Sequence, residues 1–356
     1  MRLSNRIIGF ALAAVGALAG CSSDTAPANG GGGNSGGGGA GGGNSGSGGA
    51  GGGNSGGGGA GGGNSSGAAC ALTAAGCKTA ISNCVSLVDN KDLKTFGLRI
   101  SQLTLTKPAA LASGVMSTVL NNAIASNYAA CTLGSLSDSI YGTGTGTFSW
   151  LLEFDTVAGT LKTGGAKPVA DPTTGYCFVN DSKIKPFSAK SPIAADGKFA
   201  IVDGQDLTVP IYLDAAAKNV VLLPLHKARL FNGTISADKN CIGKYNADGL
   251  QPDNTCKPDP DAKIYTFVTG ASLEGYMTLE ESDGVEIESL GGQSLCVLLT
   301  GQSDNGKPAK CPREAGKLTV AGDFCSATNS AGGCNDAVQL SASFAASGVT
   351  INGDCK

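Results

Sequence analysis

The sequence predicts a mainly β fold: an antiparallel β-sandwich or barrel-like domain, disulfide-rich, with one or two accessory helices. Three observations carry that expectation. Apolar and polar residues alternate along several short runs, and Gly, Asp, Asn and Pro break those runs at short intervals. No alternation of strand and helix signals spaces out a parallel sheet.

The clearest strand is "TFSWLLEFD", residues 147–155, with Phe148, Trp150, Leu152 and Phe154 on one face. That spacing puts Trp150 in the core. Lys198 to Val202, Asp206 to Leu213, Val220 to Leu225 and Lys263 to Val268 also read as strands. One helix stands out over residues 108–126. Pro108 suits its first position, and Leu111, Val115, Met116, Val119, Leu120, Ala123 and Ile124 follow at spacings of three and four.

The chain divides by composition. Residues 1–20 form a basic start and an apolar run too short to span a bilayer, as in a secretory signal peptide. Residues 21–69 are rich in Gly, Ser and Asn. Copies of GGGNSGGGGA recur there every ten residues, with no side chain large enough to stack into a solenoid. This stretch is expected to be a flexible tether reaching about 35–40 Å. Residues 70–356 carry the globular composition and are long enough to bury a core.

The apolar run ends at Leu18-Ala19-Gly20-Cys21, which resembles a bacterial lipobox over residues 1–23. The resemblance implies that Cys21 carries a diacylglyceryl thioether and that the new amino terminus is acylated, as by palmitate. Several acyl chains make such an anchor effectively permanent. Ser22 and Ser23 stand where aspartate would signal inner-membrane retention, so the resemblance favours an outer-membrane lipoprotein, extracytoplasmic and open to surface exposure. The body is similar in style to glycine-tethered lipoproteins of no assigned activity.

With Cys21 on lipid, twelve cysteines remain: Cys70, Cys77, Cys84, Cys131, Cys177, Cys241, Cys256, Cys296, Cys311, Cys325, Cys334 and Cys355. An even number in an exported chain predicts six disulfides. Zinc is disfavoured because there is one histidine and no C-x2-C spacing. Cys241–Cys256 and Cys325–Cys334 bracket turn-rich loops and are expected as local pairs. Cys70, Cys77 and Cys84 recur every seven residues, too far apart along a helix to bond one another. Their expected partners are distant, stapling this end to the β body.

The chemistry-bearing residues are few. His226, the single histidine, has no serine or cysteine partner marked by a motif, and is expected to be incidental at a core edge. Glu280, Glu281, Asp283, Glu286 and Glu288 could pair as glycosidase carboxylates. Val285 and Ile287 alternate with Glu286 and Glu288, however, so a solvated strand face is expected. Asp248, Asp253, Asp259 and Asp261 have the composition of a calcium loop without its EF-hand spacing, so a disulfide-closed polar loop is preferred and no metal or cofactor is called for.

The net charge is −3. Losing Arg2 and Arg6 with the leader leaves 23 basic residues against 28 acidic, a net of −5. With no basic cluster, nucleic acid is set aside as a partner. These features predict a lipid-anchored envelope protein that is non-enzymatic, binding a protein or polysaccharide or serving structurally. The alternatives are a tethered hydrolase acting on polysaccharide and a lipid-binding carrier, which requires an apolar cavity of several hundred Å3 on the order of known ligand sites.

Overall fold

The computed structural model describes residues 84, 86–113, 148–170, 172–212, 214–245 and 267–356. Cys21, Cys70, Cys77, Cys131, Cys256, Asp248, Asp253, Asp259 and Asp261 lie outside the described residues, as does most of the helix expected over 108–126. The described part corrects that expectation: a single turn, α1 (Ala109–Ala112), follows an extended Pro108 and ends at Ser113, whose extended backbone stops the helix.

Eight antiparallel strands form the body: β1 (Thr95–Lys107), β2 (Trp150–Asp155), β3 (Thr160–Gly165), β4 (Phe187–Lys190), β5 (Lys198–Tyr212), β6 (Val220–Thr234), β7 (Ala271–Thr278) and β8 (Ala337–Val349). Their hydrogen-bonded order is β4-β3-β2-β1-β8-β7-β6-β5. Sequence neighbours are therefore space neighbours, and the β1–β8 pairing joins the two halves of the meander. The sheet curls into a nearly closed, barrel-like form, with β5 approaching β3 and β4 at the seam. Curling hides most of the unpaired edge that an open sheet would expose.

Local chemistry explains the elements. The β2–β3 reversal is set by Asp155, whose Oδ1 accepts from the amides of Val157 and Ala158 at 2.9 and 2.8 Å. Gly159 completes it at φ 62°. The two runs expected at 198–202 and 206–213 are one strand, β5, interrupted by irregular register between Ile201 and Leu207. The run expected to stop at Leu225 continues to Thr234 as β6.

The barrel interior is filled by side chains. Phe148, Trp150, Leu152 and Phe154 all point inward, as the alternation predicts, and meet Phe96, Leu98, Ile100, Leu161, Phe199, Ile201 and Phe344. Phe154 stacks on Phe96 at 5.3 Å and meets Phe199 edge-on at 5.0 Å across the interior. Side chains of this size bury about 150–250 Å2 each and supply much of the core's driving force. Along β1 the inward parity changes. Phe96, Leu98 and Ile100 face in, then Leu103 and Leu105 do, because a bulge at Ser101 sets Ile100 opposite Ala346 and Gln102 opposite Ala345.

Two caps complete the body. At one mouth, Leu105 passes from the barrel interior into a cluster of Leu111, Met277, Leu279, Leu295, Val297, Leu299 and Val338. This cluster comes largely from α1 and two further short helices, α2 (Leu279–Gly284) and α3 (Leu295–Thr300). Elsewhere, a parallel pair of short strands, Tyr176–Phe178 and Ile351–Asp354, covers the outer face near Leu151 and Val349.

Four disulfides join described cysteines: Cys84–Cys241, Cys177–Cys355, Cys296–Cys311 and Cys325–Cys334. The local pair Cys325–Cys334 is found. The local pair Cys241–Cys256 is not, because Cys241 bonds Cys84 across 157 residues. The segment around Cys84 is laid onto β8, where Ser347 Oγ donates to the Cys84 carbonyl at 2.6 Å and Leu87 N–H to Gly348 O at 2.9 Å. The short strand Cys241–Ile242 pairs with the same stretch of β8, so both sulfurs meet there. Cys84 thus has the distant partner expected of it.

Candidate functional site

The candidate residues gather around α2, which follows β7 directly. Thr278 caps α2: its Oγ1 accepts from Glu281 N–H at 3.2 Å and donates to Glu281 Oε2 at 2.6 Å. The stretch 279–284 is therefore helical, which the alternation read over residues 285–288 does not reach. Val285 is extended and Glu286–Ile287 form a strand, as the alternation there predicts, and Glu288 opens a 3-10 turn. Glu280, Glu286 and Glu288 are exposed, as a solvated face requires, and Asp283 departs from it at 5% exposed.

Helical geometry points consecutive acids to different sides. Glu281 turns to His226 on β6, with both carboxylate oxygens 2.9 Å from Nε2. On the other ring nitrogen, Nδ1 lies 3.3 Å from Asp206 Oδ2 on β5. Tyr276 lies 5.4 Å from the imidazole, centroid to centroid, and stacks in turn on Phe324. The single histidine is therefore no incidental core-edge residue but a bridge among β5, β6 and α2. Burial opposes its charge, yet the Glu281 and Asp206 carboxylates outweigh burial and hold its pKa above 6.5. Burial likewise opposes ionisation of Glu281, and the Thr278 and His226 hydrogen bonds outweigh it and hold the carboxyl below 4.5.

Glu280 and Asp283 turn the other way, into an open cleft of about 580 Å3 that Gly284, Asp304, Lys310, Cys311 and Arg313 complete. Arg313 bonds Glu280 at 2.7 Å and Asp283 at 2.9 Å. Lys310 bonds Glu286 at 2.8 Å and donates to the Asp283 carbonyl at 3.1 Å. Asp283 also accepts from Ser294 Oγ, the α3 cap, and from Cys311 N–H, both at 2.8 Å. Burial raises its pKa, but these three donors outweigh burial and keep the carboxyl below 3.8. The wall opposite α2 is held by the Cys296–Cys311 bridge and by Asp304, whose Oδ1 accepts from Gly306 and Lys310 amides at 2.8 and 3.1 Å.

The cleft sets three acids, Glu280, Asp283 and Asp304, against two bases, Lys310 and Arg313. Glu280 and Asp283 converge on one guanidinium rather than flanking a space for a sugar and a water, the arrangement glycoside hydrolysis requires. Asp283 lies beside Cys296 and Cys311, but both sulfurs are in a disulfide and offer no thiolate to a metal. Asp206, Asp304, Lys310 and Arg313 are site residues that sequence reasoning does not single out. The Thr278-Leu279-Glu280-Glu281 spacing of a capping box is the one local signal that marks the helix on which the site is built. No family model, curated protein or solved structure matches the chain.

Proposed function

We propose that this chain is a lipid-anchored envelope protein, held at the outer membrane through Cys21, whose tethered barrel is a non-enzymatic binding or structural module. One observation carries the non-enzymatic half: the titratable groups gathered at α2 are spent on one another. His226 holds two carboxylates, Arg313 holds two more, and Asp283 has three donors. Such pairing stabilises a surface and depresses carboxylate pKa values, the reverse of what a general acid needs. The filled interior occupies the space that the lipid-carrier reading reserves for ligand. The four disulfides support export to an oxidising compartment.

Two measurements test the proposal. Wild-type chain and Cys21→Ser are expressed in a Gram-negative host and fractionated. The wild type is expected in the outer-membrane fraction with an acylated terminus by mass, and the variant in the soluble fraction; equal partitioning overturns the anchor. The purified chain is then incubated with a panel of polysaccharides. Turnover that is lost in Glu280→Gln or Asp283→Asn overturns the non-enzymatic reading and restores the hydrolase.

A further inference from the structure

The middle of β5 is the most irregular part of the barrel wall. Register against β6 shifts between Ile201 and Gln205 and again between Gln205 and Leu207. Across from it, Lys227 sits at φ 49°. A Cβ on Gly204 would lie 2.8 Å from the Lys227 carbonyl oxygen, so glycine is needed for the two backbones to approach. β5 is also at one end of the hydrogen-bonded order, so among the described strands β6 alone pairs with it. Val202, where the register becomes irregular, is 73% exposed. This bulge is fastened through Asp206, which accepts from Lys227 N–H at 3.0 Å and faces His226 Nδ1.

The chemistry of the ring makes that fastening conditional. An ionised carboxylate only accepts hydrogen bonds, and imidazolium donates from both nitrogens, whereas neutral imidazole has a single N–H. Protonated His226 can therefore serve Asp206 and Glu281 together. Neutral His226 can serve one of them and must turn a lone pair toward the other. Glu281 has the shorter contact, 2.9 against 3.3 Å, and the less exposed side chain, 39% against 59%. The remaining proton thus stays on Nε2, and the Asp206 contact is the one that is lost.

We infer that protonated His226 is a pH-sensitive clamp pinning the β5 bulge to α2, and that deprotonation frees the bulge from α2 while Asp206 keeps the Lys227 amide and α2 keeps the ring. The other charged groups nearby do not replace it. Among the described residues, Glu274 on β7 is paired with Arg229, and Glu280 on α2 is paired with Arg313. Lys227 reaches Asp206 through its backbone amide, and Tyr276 contributes its ring. Asp203 lies on β5 and Asp336 acts on Tyr276; the groups that favour the protonated ring are Glu281 and Asp206.

Because the chain has one histidine, its imidazole gives a single Hε1 resonance, which can be titrated in the full-length protein without assignment. The midpoint is expected above 6.5 in wild type and lower in Asp206→Asn. Amide exchange over residues 203–207 is then compared between wild type and His226→Gln at equal pH. At about pH 5 the wild type is expected to be about two- to fivefold better protected, the worth of a partly exposed ion pair, and at about pH 8 the two converge. Asp206→Asn removes the same contact while keeping the ring, and carries the test if His226→Gln does not fold. A midpoint at or below 6.5, or a protection difference that does not change with pH, overturns the clamp.

Discussion

Asp283 and Arg313 form a 2.9 Å ion pair at the helical cap in which the carboxylate side chain is 5% exposed and the guanidinium 33%. The carboxylate also joins α2 to the α3 cap at Ser294 and to the disulfide loop at Cys311. Replacing it strands three donors, one of them charged. Asp283→Ala is expected to lower unfolding free energy by about 2–4 kcal/mol in chemical denaturation. Asp283→Asn retains an acceptor for Ser294 and Cys311 and is expected to lose less. Equal losses would show that the charge, not the hydrogen-bonded join, holds the cap.

The same carboxyl sets an acid limit. Its folded pKa lies below 3.8, so its contribution is fully present above that value and is lost as pH falls through the folded pKa. Asp283→Asn has no proton to take up at this position. Its stability curve below about pH 4 is expected to fall less steeply than that of the wild type, read from denaturation midpoints across acid pH.

The disulfides should differ in worth by the loops they close. Cys177–Cys355 spans 178 residues and fastens the C-terminal strand, whereas Cys325–Cys334 spans nine. On loop-closure entropy the first is worth about 5 kcal/mol and the second about 2–3 kcal/mol. Paired Cys→Ser variants, unfolded without reductant, are expected in that order of loss. The reverse order would mean that native contacts around each bridge outweigh its effect on the unfolded chain.

What was legible in the sequence was local. The inward face of Phe148, Trp150, Leu152 and Phe154 follows from a period of two, which one strand carries by itself. The Cys325–Cys334 loop is short enough to be read from its turn residues. The β5 strand read as two pieces because Asp203 and Gly204 interrupt its pattern where the barrel has a bulge. The alternation of Val285 and Ile287 with acids marks the short strand Glu286–Ile287, while the helix before it was marked only by the capping spacing of Thr278 and Glu281. Cys84–Cys241 and the Asp206–His226–Glu281 bridge were not legible. Their members are 157, 20 and 55 residues apart, and only the closing of the barrel brings them together.

The Ser101 bulge lets one strand keep two apolar sets in the core. Deleting Ser101 restores plain alternation, so either Phe96, Leu98 and Ile100 or Leu103 and Leu105 must turn outward. Each such side chain is worth about 1.5–3 kcal/mol when buried, so at least about 3 kcal/mol is lost. The deletion is expected to abolish cooperative thermal unfolding, while Ser101→Ala, which keeps the residue count, retains it. A cooperative deletion variant would show that β1 can re-register against β8 without exposing either set.

The barrel seam can be tested at Gly165. Its side-chain position faces Pro210 on β5, and a Cβ there would lie 2.7 Å from Pro210 Cδ and closer still to Cγ. The proline ring is tied to its own backbone and cannot rotate away. Gly165→Ala is therefore expected to cost about 1–3 kcal/mol by forcing β3 and β5 apart. Pro210→Ala removes the obstructing ring atoms, so the double variant should recover much of the loss, giving a coupling energy well outside the roughly 0.3–0.5 kcal/mol of independent sites. Additive losses in the denaturation cycle would mean that the two strands do not meet at this point in solution.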